Sequence, residues 1–446
     1  MSNKLAKSGL VPKLRFPEFR EAEAWGTQPL RNVAQLLDGD WIESKDQSTD
    51  GVRLIQTGNI GIGDFIPKDG NARFISEETF RRLKCTEVVP GDCLISRLPD
   101  PAGRSCLVPD MGSKMITAVD CTIVRFNLQE IVPYLFISFS QTDHYFSEVQ
   151  AQASGSTRLR ISRENLSNIE VPRASLPEQQ KIADCLASLD QRITLEAQKL
   201  DTLKTHKKGL MQQLFPAEGE TLPKLRFPEF LDAGEWKEEK LITLSNEPLS
   251  NGVFNDPKKV GSGYKLINVS DMYIDTVIDE GRLSLLELSR FDFEANQVKH
   301  GDIFFTRSSL VKSGIAVSNI YLGCSGDVTF DGHLIRFRAN TNKVLPLFAH
   351  YLFKTTPIRA QLIARGKSAT MTTIGQADVA SVVLFYPEKE EQQKIADCLS
   401  SLDDLITAQT EKLTALKTHK KGLMQQLFPS VGGVARSDGV VVAGEA

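Results

Sequence analysis

The sequence predicts an α+β protein, with two mixed α/β domains separated by a long two-helix coiled coil. Two repeats predict this arrangement. Residues 178–216 return at 391–429 with 30 of 39 positions identical and no gap. Residues 12–25 return at 223–236, so the offsets of the two repeats, 213 and 211 residues, agree closely. The stretches between the repeats diverge, which indicates one unit duplicated in tandem.

Both long repeats show helical periodicity, with apolar residues three and four positions apart or at multiples of that step. A 3.5-residue period sustained over five heptads is typical of a coiled-coil seam. We expect each helix to run from Pro177 or Glu390 to the Phe-Pro that stops it, roughly 50 Å at 1.5 Å per residue. The predicted seam residues are Ile182, Leu186, Leu189, Ile193, Leu200, Leu203, Leu210, Leu214, Ile395, Leu399, Leu402, Ile406, Leu413, Leu416, Leu423 and Leu427.

Polar residues interrupt this seam at equivalent positions of the two copies. Glu196 matches Gln409, and Lys207 matches Lys420. Such residues weaken packing but fix the register and the choice of partner. Because both helices belong to one chain, each has the other at high effective concentration, and we expect them to pack together. The alternative is that each helix packs separately on its own domain.

Composition predicts a globular protein. The 446 residues are 41% apolar; the sequence has no run long enough to span a membrane and no apolar signal-peptide core, so we expect a cytoplasmic protein with no membrane contact. Seven cysteines without a CxxC pair fit reduced, packed thiols better than disulfides or a zinc site. The net charge of −3 argues against a freestanding nucleic-acid binder, so any DNA contact must come from local patches.

The domain bounds follow from the repeats. The expected order is a flexible lead (1–11), a first domain (12–176), a first helix (177–216), a linker (217–236), a second domain (237–389), a second helix (390–429) and a disordered tail (430–446). Short strand-like runs separated by turns dominate the first domain. They include 52–60, 87–97 and 118–126, and a helix is predicted over 132–149.

Two matched loops in each domain carry the candidate DNA-contact residues. The strands that follow Gly91 and Gly301 each end on an arginine, which water can solvate or which can meet a phosphate or a guanine. The loops 153–162 and 364–375 are rich in glycine, hydroxyls and cations; such groups suit phosphates and base edges, although flexible polar loops alone would also explain them. The candidates are Arg97, Arg104, Ser156, Thr157, Arg158, Arg160, Arg307, Ser308, Lys312, Lys367, Ser368 and Thr370.

The sequence offers no set of residues for catalysis by this chain alone. It has no GxxxxGK[ST] phosphate loop, no Asn-Pro-Pro-aromatic tetrad for amino methylation, and no HExxH or close histidine pair. We therefore expect no enzyme, no metal site and no cofactor in this chain.

The entries into the long helices are specific. The first copy reads Leu176-Pro177-Glu178-Gln179-Gln180, and the second runs from Pro387 to Gln393 with Glu388-Lys389-Glu390 lengthening the entry. With the EQQKIA…LFP helices and the divergent domains before them, these entries resemble the specificity subunit of type I restriction-modification systems. The resemblance covers nearly the whole chain.

The resemblance implies two target recognition domains, similar in fold to the DNA-reading domain of adenine-N6 methyltransferases, each reading one half of a bipartite site in double-stranded DNA. It also implies that the two long helices between these domains pack antiparallel, which gives the chain pseudo-twofold symmetry. It implies two modification subunits, which bring S-adenosylmethionine and methylate adenine. It also implies two restriction subunits, which use ATP and Mg to translocate and cleave. We expect the partner subunits to dock on the outer faces of the two long helices and on the two PKLRFPEF segments, 12–19 and 223–230. A coiled-coil interaction scaffold that binds no DNA is the alternative.

Overall fold

The computed structural model describes residues 10–99, 101–155, 159–368 and 371–429. Residue contacts divide the chain into a first unit, Met1–Leu195 with Leu413–Ala446, and a second unit, Glu196–Lys412. Two long helices, α5 (Leu176–Gln213) and α10 (Lys389–Leu427), contain the points of division. Each unit therefore contains part of each long helix.

The first unit combines short strands with short helices. Its strands are β1 (Gly26–Pro29), β2 (Ala34–Asp38), β3 (Gln47–Ser48), β4 (Val52–Ile55), β5 (Phe74–Ile75), β6 (Cys93–Ser96), β7 (Ser105–Leu107), β8 (Met115–Thr117), β9 (Cys121–Phe126) and β10 (Glu170–Arg173). Its short helices are α1 (Glu77–Leu83), α2 (Pro133–Phe139), α3 (Asp143–Gln152) and α4 (Arg163–Ser167).

Among the described residues, the strands of the first unit form two four-stranded sheets and one strand pair. One sheet has the antiparallel order β2-β9-β6-β7, and the other has the order β3-β5-β4-β8 with β4 and β8 parallel. Strand β1 pairs with β10. A buried cluster that includes Trp25, Phe136 and Tyr145 also takes in Ile182 of α5 and Leu427 of α10. Both long helices thus contribute to the core of this unit.

The second unit repeats the mixture with different lengths. Its strands are β11 (Lys237–Lys240), β12 (Ser250–Asn251), β13 (Val260–Ile267), β14 (Ser284–Leu286), β15 (Ile303–Thr306), β16 (Ser308–Ser309), β17 (Ser318–Ile320), β18 (Val328–Phe330), β19 (Leu334–Phe337), β20 (Lys367–Ser368), β21 (Thr372–Thr373) and β22 (Val383–Tyr386). Its short helices are α6 (Arg290–Ala295), α7 (Pro346–Phe353), α8 (Thr356–Arg365) and α9 (Gln376–Ala380).

The sheets of the second unit match those of the first in their central part. The order β12-β19-β15-β17 corresponds to β2-β9-β6-β7, and β11 pairs with β22 as β1 does with β10. Two further three-stranded sheets have the orders β14-β13-β18 and β16-β21-β20. Its core includes Trp236 and Phe348 and takes in Leu214, just after α5, and Ile395 of α10.

The long helices begin at equivalent residues, because Leu176 and Lys389 are 213 positions apart. The longer second entry therefore leaves the start of the helix unchanged. Pro216 and Pro429 follow the helix ends, where proline cannot continue a helix. Every predicted seam residue is buried or half-buried, which is the pattern that a 3.5-residue period requires.

In both units the segments of α5 and α10 run in opposite directions. In the first unit Lys420 Nζ lies 2.6 Å from Asp190 Oδ1, and the adjacent residues Leu14 and Arg15 bond Gln426 of α10 and Glu178 of α5. In the second unit Lys207 Nζ lies 2.5 Å from Asp403 Oδ1, while Gln409 Nε2 lies 2.7 Å from Glu196 Oε2. Higher residue numbers in one helix thus meet lower numbers in the other. The polar interruptions of the seam pair with polar partners.

The PKLRFPEF segments contact the long helices through equivalent ion pairs in the two units. Arg15 forms a two-pronged ion pair with Glu178, at 2.7 and 2.8 Å, and both side chains are buried. Arg226 forms the equivalent pair with Glu391 at 2.8 and 2.6 Å. Leu14 N donates to the carbonyl of Gln426 in α10. The PKLRFPEF segments therefore pack with α5 and α10, and we call these segments and the two long helices together the helical frame.

The predicted helix over 132–149 is wrong in one respect, because the structure has two helices there. Helix α2 ends at Phe139 and α3 begins at Asp143. Thr142 caps α3, since its hydroxyl accepts a hydrogen bond from Tyr145 N at 3.3 Å. A threonine in this role favours a new helix start over continuation.

The seven cysteines are all free thiols, four of them buried. Burial raises the pKa of the Cys106 thiol to about 12 and that of Cys121 to about 11, so both are protonated near neutral pH. Within the described ranges, no helix has the length and apolar character needed to cross a bilayer.

Candidate nucleic-acid interface

The two predicted loops of each domain meet at one place. In the first unit Ile161 N donates to the carbonyl of Arg97 at 3.2 Å. In the second unit Ile374 N donates to the carbonyl of Arg307 at 3.0 Å. A turn completes each arrangement: Arg97 N bonds the carbonyl of Asp120, and Arg307 N bonds that of His333. The same backbone frame therefore holds loops of unlike sequence.

In the second unit a small sheet joins three of the six candidate residues, Ser308, Lys367 and Ser368. Strand β21 pairs with β16, with Ser308 opposite Thr373, and with β20, with Lys367 opposite the same threonine. The Ser368 hydroxyl lies 3.2 Å from that of Thr372. Thr370, also a candidate, lies outside the described residues.

The three candidate cations of the second unit are exposed to solvent. The side chains of Arg307 and Lys312 are exposed. Lys367 is exposed as well, with its Nζ 3.4 Å from Asp378. Exposed cations beside hydroxyl groups are suited to phosphate oxygens and base edges.

Arg97 is placed differently from its counterpart Arg307. It is 7% exposed, its Nη1 lies 3.2 Å from Asp38, and its Nη2 donates to the carbonyl of Val119. Burial lowers the pKa of its guanidinium, and the carboxylate of Asp38 acts in the opposite direction. A contact between Arg97 and DNA stays a prediction; the side chain would have to leave these partners to make it.

Arg104 is surrounded by backbone carbonyls. Its Nε and Nη2 donate to Ile60 and Thr57 at 2.8 and 3.0 Å, and its Nη1 lies 3.0 Å from the carbonyl of Pro99. These bonds tie the loop after β6 to the turn after β4. Arg104 therefore stabilises the conformation of this loop. A contact between Arg104 and DNA also stays a prediction.

The remaining candidates of the first unit belong to the second loop. Arg160 is exposed, and its Nη2 lies 3.1 Å from Asp120. Ser156, Thr157 and Arg158 lie outside the described residues.

Sequence reasoning missed a third segment of this surface, the end of strand β2 and its counterpart β12. Asp38 lies 3.2 Å from Arg163 as well as from Arg97. The equivalent residues of the second unit, Asn251 and Gln376, have side-chain amides 2.6 Å apart. The first unit thus has an ion pair, Asp38–Arg163, at the position where the second unit has two amide side chains, Asn251 and Gln376. The signal in the sequence was weak, because the strand around Asp38 differs from its counterpart.

A tyrosine-aspartate-lysine group joins each domain to the long helices. Tyr134 and Lys420 bond Asp190 at 2.5 and 2.6 Å. In the second unit, Tyr351 and Lys207 lie 2.7 and 2.5 Å from Asp403. Lys207 and Lys420 are thus engaged inside the helical frame. In addition, the described part of the chain holds no group of three or more His, Cys, Asp and Glu side chains placed to bind a metal ion.

The fold is similar to that of solved S subunits. The crystal structure of the type I restriction-modification system S subunit from M. genitalium matches with a TM-score of 0.59 at 13% identity, covering 95% of this chain and all of the other. A chain from a study of complex assembly and conformational transition of the type I R-M system matches with a TM-score of 0.53 at 16% identity, covering 91% and 98%.

Sequence comparison specifies the family. Residues 23–205 and 256–418, more than half of the chain, match the family described as "Type I restriction modification DNA specificity domain". The chain belongs to this family. The EcoKI specificity subunit of Escherichia coli K12 is 22% identical over 84% of this chain and 81% of its own length. The StySPI specificity subunit of Salmonella potsdam is 22% identical over 91% and 89%.

Proposed function

We propose that this chain is the DNA sequence-recognition subunit of a type I restriction-modification complex, and that each domain reads one half of an asymmetric bipartite site. The observation that carries the proposal is one backbone frame presenting unlike side chains. Asp38 with Arg163 and Asn251 with Gln376 occupy equivalent places. Because charge and amide pairs offer different donors and acceptors, the two domains should read different bases.

The long helices serve in this proposal as a ruler. Antiparallel copies of one helix generate a pseudo-twofold axis, and that axis would present the two domains to opposite strands of the duplex. The opposed ion pairs Asp190–Lys420 and Lys207–Asp403 support the antiparallel pairing. The gap between the two half-sequences would then have a fixed length that the protein does not read.

The frame common to both units is the proposed docking surface for partner subunits. It consists of the outer faces of the long helices and the two PKLRFPEF segments, which share sequence and contacts. Two modification subunits would bring S-adenosylmethionine and methylate adenine, and two restriction subunits would use ATP and Mg to translocate and cleave. In this proposal the chain itself performs no chemistry.

The alternative is an interaction scaffold without a DNA role. Gel-shift binding of the full chain, with and without its partner methyltransferase, separates the two. If the chain is a DNA sequence-recognition subunit, it should bind a duplex that carries the sequence methylated by the complex in preference to a scrambled duplex. This preference is expected at physiological salt and with the partner methyltransferase present. Equal binding to both duplexes, or none, would favour the scaffold.

A further inference from the structure

One short motif recurs in the two domains although their surroundings diverge. It consists of a glycine, an aromatic residue, an acid and a lysine at every second position, immediately after strands β2 and β12. The residues are Gly39, Trp41, Glu43 and Lys45 in the first unit and Gly252, Phe254, Asp256 and Lys258 in the second. Strand pairing fixes their equivalence, because Asp38 lies opposite Thr122 and Asn251 opposite Ile335, which are 213 positions apart in both cases.

The glycine of this motif is required by close packing. A Cβ on Gly39 would overlap the carbonyl oxygen of Ala118, and one on Gly252 would overlap that of Phe330. The next residues, Asp40 and Val253, form bridges to the same backbone segments. The chain then leaves the sheet and enters a one-turn 3-10 helix in both units. The position of the aromatic residue is therefore set by the backbone.

The two aromatic side chains project into solvent. Trp41 is 71% exposed and Phe254 is 78% exposed, whereas the other two tryptophans, Trp25 and Trp236, are 1% and 4% exposed. Exposed aromatic surface is unfavourable in water, and its recurrence at one position of a duplicated frame calls for a partner. A cation stands nearby in each case. Lys45 is exposed with its Nζ 2.7 Å from Glu43, and Lys258 is exposed.

The motif adjoins the loops of the candidate interface. Val119 N donates to the carbonyl of Asp40 at 2.9 Å, and the next residue of that turn, Asp120, accepts from Arg97 N. In the second unit Gly332 N donates to the carbonyl of Val253 at 2.7 Å, and the next residue, His333, accepts from Arg307 N. The residue that precedes the aromatic one and the arginine are therefore bonded to consecutive residues of one turn.

We propose that Trp41 and Phe254 contact the bases of the DNA duplex, one in each half-site, by stacking on or wedging between them. This inference rests on the proposed function. Any base accepts a flat ring on its face, so the contact tolerates both tryptophan and phenylalanine and both half-sequences. A protein partner common to both domains would instead favour identical surfaces, which the chain has in its PKLRFPEF segments. The neighbouring lysines suit the phosphates that flank such a base.

Tryptophan fluorescence tests the inference without a label, because an external quencher reaches Trp41 far more readily than the buried Trp25 and Trp236. The full chain with its modification subunits is titrated with acrylamide, alone and bound to the duplex whose sequence the complex methylates, and the signal of the same complex with Trp41→Phe is subtracted so that only Trp41 is followed. We expect the bound duplex to lower the quenching constant at least about twofold. Protection by the modification subunits without DNA would overturn the inference, and so would DNA binding that leaves quenching unchanged.

Variants extend the test to both domains. Trp41→Ala should weaken specific binding roughly 5- to 150-fold, while Trp41→Phe should largely restore it. Phe254→Trp in the Trp41→Phe background should report protection at the second half-site. Leu128→Ala is the matched control, since Leu128 is 68% exposed but follows the far end of β9. Equal affinities of Trp41→Ala and Leu128→Ala, both shown to be folded by circular dichroism, would overturn the inference. Failure of the wild-type complex to bind any duplex would overturn the proposed function itself.

Discussion

The side-chain amide of Gln409 lies 2.7 Å from the carboxylate of Glu196, the residue at the equivalent position of the first copy. Antiparallel copies of one helix bring equivalent residues together at a single point along their length. Lys412 also reaches Glu196, at 2.5 Å, so a polar group marks this point. Polar seam residues of this kind fix register, and a fixed register is what the proposed role of the long helices as a ruler requires.

The first prediction concerns helix length. Inserting four residues in the 191–200 region adds roughly one helical turn, about 6 Å. This equals nearly two base steps at 3.4 Å, so the unspecific gap should lengthen while both half-sequences remain unchanged. Sequencing of methylated adenines in cells that carry the variant measures both. Altered half-sequences around an unchanged gap would contradict the ruler.

The buried ion pair between Arg226 and Glu391 should be essential for stability. Arg226→Ala leaves the Glu391 carboxylate buried without its partner, and we expect a loss of about 3–5 kcal/mol in the free energy of unfolding. Chemical denaturation measures this loss. Lys224→Ala, an exposed neighbour, is the control and should change stability by less than about 0.5 kcal/mol.

A double-mutant cycle with Glu391→Gln separates the ion pair from the bonds that Arg226 also donates to the carbonyls of Ala233 and Gly234. A coupling energy near zero would show that the loop contacts, rather than the ion pair, account for the loss.

Arg307 should affect one half-sequence only. Its exposed guanidinium belongs to the second domain, so Arg307→Ala should weaken binding by about 1–3 kcal/mol and relax base preference in one half-site. Competition binding with duplexes substituted in either half measures this. Arg290→Ala is the control, because Arg290 is exposed in the same unit but paired with Glu294. A loss spread evenly over both half-sites would argue against direct reading by Arg307.

His350 should make the second unit sensitive to acid. Burial, with Lys354 and Lys207 as neighbours, holds its pKa well below the usual 6.5. The unfolded chain therefore binds a proton that the folded chain does not, so stability is full above about pH 6.5 and is lost as the pH falls. The loss is about 1.4 kcal/mol per pH unit until the pKa of the folded state is reached.

The first unit has no histidine at the position equivalent to His350, and its residue there suggests the control substitution. The first unit has the buried Ile137 at the equivalent position, so His350→Ile should flatten the dependence of the unfolding temperature on pH between about 6.5 and 5. Thermal unfolding of both proteins across that range measures it. Parallel pH profiles would mean that other groups, such as the carboxylates, govern the acid sensitivity.

Much of the frame could be read from the sequence, because identical segments fold alike. The start of α5 was predicted within one residue, and the strands predicted to follow Gly91 and Gly301 end one residue before Arg97 and Arg307. Local rules of periodicity and turn chemistry were sufficient for these features.

The burial and the partners of individual side chains could not be predicted, because they depend on contacts between residues distant in sequence. Arg97 is buried because Asp38, from a strand nearly sixty residues earlier, meets it. Tyr134 and Tyr351 make the same contact with the long helices from positions one helical turn apart, which no alignment of the copies reveals. The exposed Trp41 went unnoticed because the two domains differ by two residues in the spacing before it.

Sequencing the methylated adenines of a host, with and without this chain beside its modification subunits, tests the central claim most directly. We predict that the chain adds one asymmetric motif, with two different half-sequences separated by a gap of constant length and unrestricted sequence. Methylation that does not depend on the chain, or a motif that is continuous or palindromic, would contradict the account.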